Sequence, residues 1–344
     1  MAGFKNNGKL KLLIIVGTRP EIIRLAAVIN KCREYFDCLL AHTGQNYDYN
    51  LNGVFFKDLK LADPDVYMDA VGTDLGETMG NIVAKSYQLM VEVKPDAVLV
   101  LGDTNSCLSE HIASSIANMI GLKAHETRLG TFTNGKTKIV CGCRDFATGG
   151  KQLYDFCSIK NTVIDSETGG TGTELGDVLE TIDQQSFVDP VVLKAHFWDM
   201  FVVDAFLGNF DRHNGNWGFL VDPTTRKAEI APAFDFGSCL LPQADDDIMR
   251  RVIDDKAELD ARIYNFPASA LKQDGKKIIY VDFIAQNRDG VLAPSLKRIV
   301  PRIDLAAINA FINDTPYLTD LQRQFYKTYL AARYEVMFAP LSSL

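Results

Sequence analysis

Residues 207–216 read Leu207-Gly208-Asn209-Phe210-Asp211-Arg212-His213-Asn214-Gly215-Asn216, and nineteen residues beyond Asn216 stands Asp235-Phe236-Gly237. Moving a phosphoryl group from ATP requires an acceptor for the proton of the receiving hydroxyl and two oxygen ligands that hold magnesium against the phosphates. Asp211, Asn216 and Asp235 are suited to those three tasks. An Asp and an Asn five apart on one loop can face a shared cleft. Between them and Asp235, the runs 217–221 and 227–230 flank Asp222-Pro223-Thr224-Thr225, so a hairpin is expected to return the second carboxylate beside the first two residues. Singly, each polar residue would serve as a turn or cap; in this order across a hairpin they point to phosphotransfer. His213 is expected to pack the loop.

Working outward, Asp189-Pro190 opens a long helix that Gly208 closes, with Asp as N-cap and Pro in the first turn. A helix over 110–119 precedes two strands, 126–133 and 137–143, joined by Asn134-Gly135, a strong hairpin signal. The stretch Glu167 to Gly176, rich in Gly and Thr, reads as a mobile loop, and the chain from Leu305 onward reads as helical.

From about Thr104 to the C-terminus the sequence resembles the HipA-type serine/threonine kinases, especially their smaller CtkA-like relatives. The resemblance rests on Thr104-Asn105-Ser106-Cys107-Leu108-Ser109-Glu110, Glu126-Thr127-Arg128-Leu129-Gly130-Thr131, the loop 209–216 and Ala231-Pro232-Ala233-Phe234-Asp235. It implies an α+β protein-kinase-like domain with a mostly helical C-lobe, ATP and magnesium as cofactors, and a protein serine or threonine as substrate. It makes Asp211 the catalytic base, Asn216 and Asp235 the magnesium ligands, and Gly237 their neighbour in the cofactor site. Glu110 becomes the helix glutamate that pairs with a phosphate-binding lysine; its plainer alternative is an acid favoured by the helix macrodipole. A kinase also needs that lysine on a strand and a glycine-rich cover, both upstream of the Glu110 helix. Nothing upstream looks like them, because Lys85 and Lys94 belong to a helix and its exit.

Residues 10–108 instead alternate strand and helix: 9–16, 21–34, 37–42, 75–93 and 97–101. That order favours a parallel, doubly wound sheet with a ligand at the C-terminal strand ends. Val16-Gly17-Thr18-Arg19-Pro20-Glu21, His42-Thr43-Gly44-Gln45-Asn46 and Leu101-Gly102-Asp103-Thr104 resemble the N-terminal half of the non-hydrolysing UDP-N-acetylglucosamine 2-epimerases. The likeness implies a Rossmann-like half-domain for a nucleotide sugar, with Arg19 and Asp103 lining the active site. The second half, which grips the uridine diphosphate, has no counterpart after residue 130. The chain therefore reads as a fusion of an epimerase-like half-domain, 1–108, and a HipA-like kinase domain, 109–344, lacking the usual start of its N-lobe. A kinase impaired by its missing lysine and glycine-rich loop is the leading reading; a partial epimerase or a catalytically silent binding module are the alternatives.

Composition narrows the partners. With 344 residues, 47% hydrophobic and 23% charged, the chain falls among ordinary globular proteins of about two domains. Its net charge of -8, with no Lys/Arg stripe, argues against nucleic acid. The longest apolar runs are strand-sized, far short of the roughly 20 residues that span a bilayer, and Met1 to Gly8 lack the apolar core of a secretory signal. A cytoplasmic protein is expected. Seven cysteines without a CxxC pair argue against a disulfide frame or a zinc site, and Cys141-Gly142-Cys143 alternates like a strand.

Overall fold

A computed structural model of the chain describes residues 3–17, 19–44, 56, 59, 61–71, 75–99, 104–134, 136–163 and 169–341. They fall into two compact units, Met1–Asp103 with Phe132–Lys138, and Thr104–Thr131 with Ile139–Leu344.

In the first unit β1 (Lys11–Val16), α1 (Arg19–Tyr35), β2 (Asp37–His42), β3 (Val66–Tyr67), α2 (Leu75–Val93) and β4 (Ala97–Leu99) follow one another. The strands lie in the order β3-β2-β1-β4, and every pairing is parallel, as crossover helices require. Alternation along β1 turns Leu12, Ile14 and Val16 toward Ile22, Leu25 and Ile29 of α1. Leu13 points to the other face, with Leu39, Ala41 and Leu89 of α2. Both faces are thus buried, which is why these strands read as continuous apolar runs. The C-terminal ends of β1, β2 and β4 share one edge, where Gly17 follows β1. Arg19 opens α1, two residues before the apolar spacing begins. Its side chain, and Asp103 entirely, lie outside the described residues.

The second unit begins with α3 (Thr104–Met119), which starts six residues earlier than the sequence pattern suggests. Its buried stripe is Leu108, Ile112, Ala113 and Ile116. A two-stranded sheet, β5 (Thr127–Asn134) with β6 (Lys136–Cys143), comes next. After β7 (Gln152–Asp155), α4 (Phe156–Val163) and α5 (Leu175–Gln184) comes α6 (Pro190–Leu207), capped by Asp189, whose carboxylate accepts the Val191 N–H at 2.7 Å. From Leu193 on, α6 is apolar nearly all round and forms the axis of the core. The hairpin of β8 (Gly218–Val221) and β9 (Ala228–Ile230) pairs antiparallel with β7. The remainder is helical: α7 (Asp246–Asp254), α8 (Lys256–Tyr264), α9 (Tyr280–Asn287), α10 (Ala293–Ile299), α11 (Leu305–Asp314) and α12 (Asp320–Met337). Two short strands, β10 (Lys272–Gln273) and β11 (Lys276–Lys277), interrupt it. Among the described residues no helix is long and apolar enough to cross a membrane.

The segment expected to be a mobile loop is packed at Gly170 and held by hydrogen bonds at Gly172, while Thr171 and Gly176 are exposed. A Cβ on Gly170 would lie 1.9 Å from the Cys157 carbonyl oxygen. Asn214 Nδ2 donates to the carbonyls of Gly170 and Gly172 at 2.7 and 2.8 Å, and the buried Lys160 Nζ donates to Gly172 at 3.0 Å. Gly170 serves close backbone approach here rather than mobility.

One half-buried base on α6 sets an acid limit. Burial, aided by Arg212 and opposed by Asp199, pushes the His196 imidazole from 6.5 down to about 4. A histidine whose folded pKa is lowered favours the fold while neutral, so its contribution is lost as pH falls from 6.5 toward 4. Urea melts are expected to show up to about 3 kcal/mol of loss over that window. A His196→Gln variant should flatten that slope; an unchanged slope would sink the assignment.

Candidate active site

The site grows from the end of α6. Gly208 takes a left-handed conformation, φ 67°, and a Cβ there would sit 2.2 Å from Tyr329 Oη, so only glycine turns the chain at this point. Beyond it the loop is held by polar groups from beneath. Asp204, buried in the last turn of α6, accepts from Asn209 Nδ2 at 2.9 Å and from Arg212 Nε and Nη2 at 3.0 and 3.2 Å. Asn209 Oδ1 in turn accepts the Asp211 N–H at 3.0 Å, and Tyr280 Oη donates to the Asn209 carbonyl at 2.6 Å. These bonds leave Asp211 exposed on a rigid turn.

Arg212 also joins the two parts of the motif. Its Nη1 donates both to the Asn216 carbonyl, at 2.9 Å, and to the Phe234 carbonyl. The β8–β9 hairpin makes this possible by returning Ala231 to Gly218, N to O 3.0 Å. Residue 216 and the residue before Asp235 thus share one guanidinium nitrogen. Asn216 Nδ2 donates to the Asp211 carbonyl at 2.9 Å, which fixes the amide and presents Oδ1 as its acceptor. Asp235 has φ 58°, a conformation that costs a non-glycine residue energy and recurs at functional sites. His213 Nδ1 accepts the Gly215 N–H at 3.0 Å, a turn-forming bond.

Behind Asp235 lies an acidic group. Glu110 Oε2 accepts the Phe236 N–H at 2.7 Å, and Oε1 lies 2.5 Å from His125 Nε2. Both oxygens of this carboxylate are therefore engaged, by an imidazole and a backbone amide rather than by a lysine. His125 is positioned by backbone pairing with Ala233, N to O 3.0 Å. Its ring stacks on Phe236, whose other neighbour is the Arg212 guanidinium at 4.6 Å. Gly237 lies against this group: a Cβ there would meet Glu110 Oε2 at 3.5 Å. Glu126 points elsewhere, to Arg144 on the surface.

Desolvation by the surrounding protein, then the Glu110 charge, raise the carboxyl of Asp235, an exposed residue, above its ordinary 3.8, against the pull of Arg212. A carboxyl with a raised folded pKa favours the fold when protonated; the penalty for ionising it is absent below 3.8 and develops as pH rises through the folded value. Asp235→Asn is therefore expected to melt no lower than the wild type at pH 7, with the two melting curves converging in acid. A clear loss of stability at pH 7 would contradict this electrostatic account.

Sequence reasoning does not find Asp204, Arg212, His125 or Cys143. Only Arg212 carried a signal, since an arginine within an otherwise short-chained polar loop asks for a buried partner. Cys143 ends β6 with its thiol drawn down to about 7 by a hydrogen bond from Cys141, whose own thiol is raised.

Asp211 and Asn216 lie on a loop that one buried arginine ties to the residue before Asp235, and the class of protein in which this motif sits is a protein kinase. The chain is 49% identical over 248 residues, 72% of its length and 75% of the relative's, to the serine/threonine-protein kinase CtkA of Helicobacter pylori. The crystal structure of that proinflammatory kinase superposes with a TM-score of 0.66 at 50% identity, over 68% of this chain and 85% of its own. The chain belongs to the CtkA-like serine/threonine kinase family. A second likeness covers its first part. The UDP-N-acetylglucosamine 2-epimerase family matches residues 30–120. A UDP-N-acetylglucosamine 2-epimerase homolog of Methanococcus maripaludis is 36% identical over 110 residues, 32% of this chain and 31% of that protein. The chain thus spans less than a third of that relative, and the family match takes in most of the parallel first unit and the helix α3.

Proposed function

We propose that the chain is a weak ATP- and magnesium-dependent kinase of protein serine or threonine, with its kinase domain over 109–344 and an epimerase-derived half-domain over 1–108. The observation that carries this reading is the Arg212 clamp, in which one guanidinium nitrogen bonds the carbonyl of Asn216 and that of Phe234, the residue before Asp235. The donor set fits magnesium: a hard cation takes oxygen ligands, and Asp235, with Glu110 behind it, carries negative charge that a cation would relieve. Asp235 and Asn216 would hold the ion, which would neutralise phosphate charge. Asp211, exposed and held through Asn209, accepts the proton of the incoming hydroxyl. Glu110 fixes the Phe236 amide and with it the turn that carries Asp235.

Thermal unfolding with added ligands tests this, because a ligand that binds only the folded state raises the melting temperature. Magnesium-ATP is expected to raise it, and Asp235→Asn to remove the rise. A rise with UDP-N-acetylglucosamine and none with magnesium-ATP would favour a nucleotide-sugar-binding module instead. Turnover of UDP-N-acetylglucosamine is not expected, since less than a third of an epimerase is present.

A further inference from the structure

Among the described residues Glu110, His125 and Cys143 bring a carboxylate oxygen, an imidazole nitrogen and a thiol sulfur all within 4.8 Å of one another. We propose that this cluster is a binding site for a thiophilic divalent cation of the zinc type, with solvent completing the coordination on the exposed Cys143 side. Four features of the chain support it. Cys141 and Cys143 lie two apart in β6, on one face of the strand. His125 is fixed from the backbone by Ala233, and Glu110 by the Phe236 amide, so two ligands are already oriented. Cys143 is exposed while His125 is buried, which gives the ion an entry path on the sulfur side. The donor types discriminate as well: thiolate with imidazole selects zinc and its neighbours, whereas magnesium prefers oxygen.

Tetrahedral zinc places its ligand atoms roughly 3.3–3.7 Å apart, from bond lengths of about 2.0–2.3 Å. The Glu110–His125 pair, now 2.5 Å apart, would open by about 1 Å as the ion replaces the hydrogen between them, and the thiol would swing inward. Cysteine spacing alone argued against zinc because the ligands come from a helix, a bridge and a strand rather than from one motif. The site does not depend on the kinase reading.

The test uses the full chain, reduced and metal-free, titrated with Co2+ in the presence of excess magnesium. One equivalent is expected to bind with a thiolate-to-cobalt charge-transfer band and a tetrahedral visible spectrum, and zinc should bleach both. Because loss of outer-shell partners alone weakens metal sites about 10–100-fold, Cys143→Ser should weaken binding by about 100-fold or more. Its thiol is exposed, so the variant should fold, which a circular dichroism melt checks. A Cys157→Ser control should bind as the wild type does. Absence of the thiolate band, wild-type affinity in Cys143→Ser, or equal weakening in the control would each overturn the proposal.

Discussion

Replacing Arg212 by Met is expected to lower the free energy of unfolding by about 3–5 kcal/mol, because it leaves the buried Asp204 carboxylate without its ionic partner. Arg212 and Asp204 expose only 5% and 2% of their side chains, so water cannot take the missing role. The double substitution Asp204→Leu with Arg212→Met should recover a large part of that loss, since removing both charges also removes the desolvation cost. It should not restore the magnesium-ATP response, because the bonds from Nη1 to the Asn216 and Phe234 carbonyls are gone in both variants. Chemical denaturation and ligand-dependent melting together separate the two roles. A double mutant that is stable and still responds to magnesium-ATP would show that the clamp does not organise the site.

The second large effect is on rate. Both oxygens of Glu110 are engaged by His125 and Phe236, and among the described residues no lysine bonds either of them. Losing one charge-assisted contact of this kind costs roughly 2–4 kcal/mol in the transition state, and the absent glycine-rich cover adds a positioning cost. At 1.36 kcal/mol per tenfold, the lysine alone accounts for about 30-fold to 1,000-fold. Transfer of labelled phosphate from ATP is expected to be slower than in the CtkA homologue by at least that factor, and Asp211→Asn should abolish what remains. Transfer at a rate comparable to that of CtkA would show that another cation replaces the lysine.

Much of the fold is legible in the sequence where local chemistry decides. The bounds of α6 follow from Asp189, Pro190 and Gly208, each of which acts within one turn, and β2 and α2 follow from apolar period alone. β7 escapes because Gln152–Asp155 is short and largely exposed; its pairing with β8 comes from a partner distant in the chain. The loop 169–176 misleads for a related reason: glycine permits both mobility and close packing, and only the tertiary neighbours Cys157 and Asn214 choose between them. In the site, the order Asp211, Asn216, Asp235 is readable because a hairpin turn lies between its members. The partner of Glu110 is not. The family likeness implies a lysine, whereas the fold delivers His125 through a backbone bridge to Ala233 that no spacing rule announces.

The helix α3 has a consequence for how such a chain can arise. It lies within residues 30–120, which the epimerase family matches, yet it carries Glu110, whose carboxylate grips the turn that bears Asp235. A genetic crossover upstream of Thr104 would exchange everything before the helix and leave the buried stripe of Leu108, Ile112 and Ile116 intact. Such an exchange would leave the grip of Glu110 on the turn of Asp235 untouched while replacing whatever upstream strand could supply a phosphate-binding lysine.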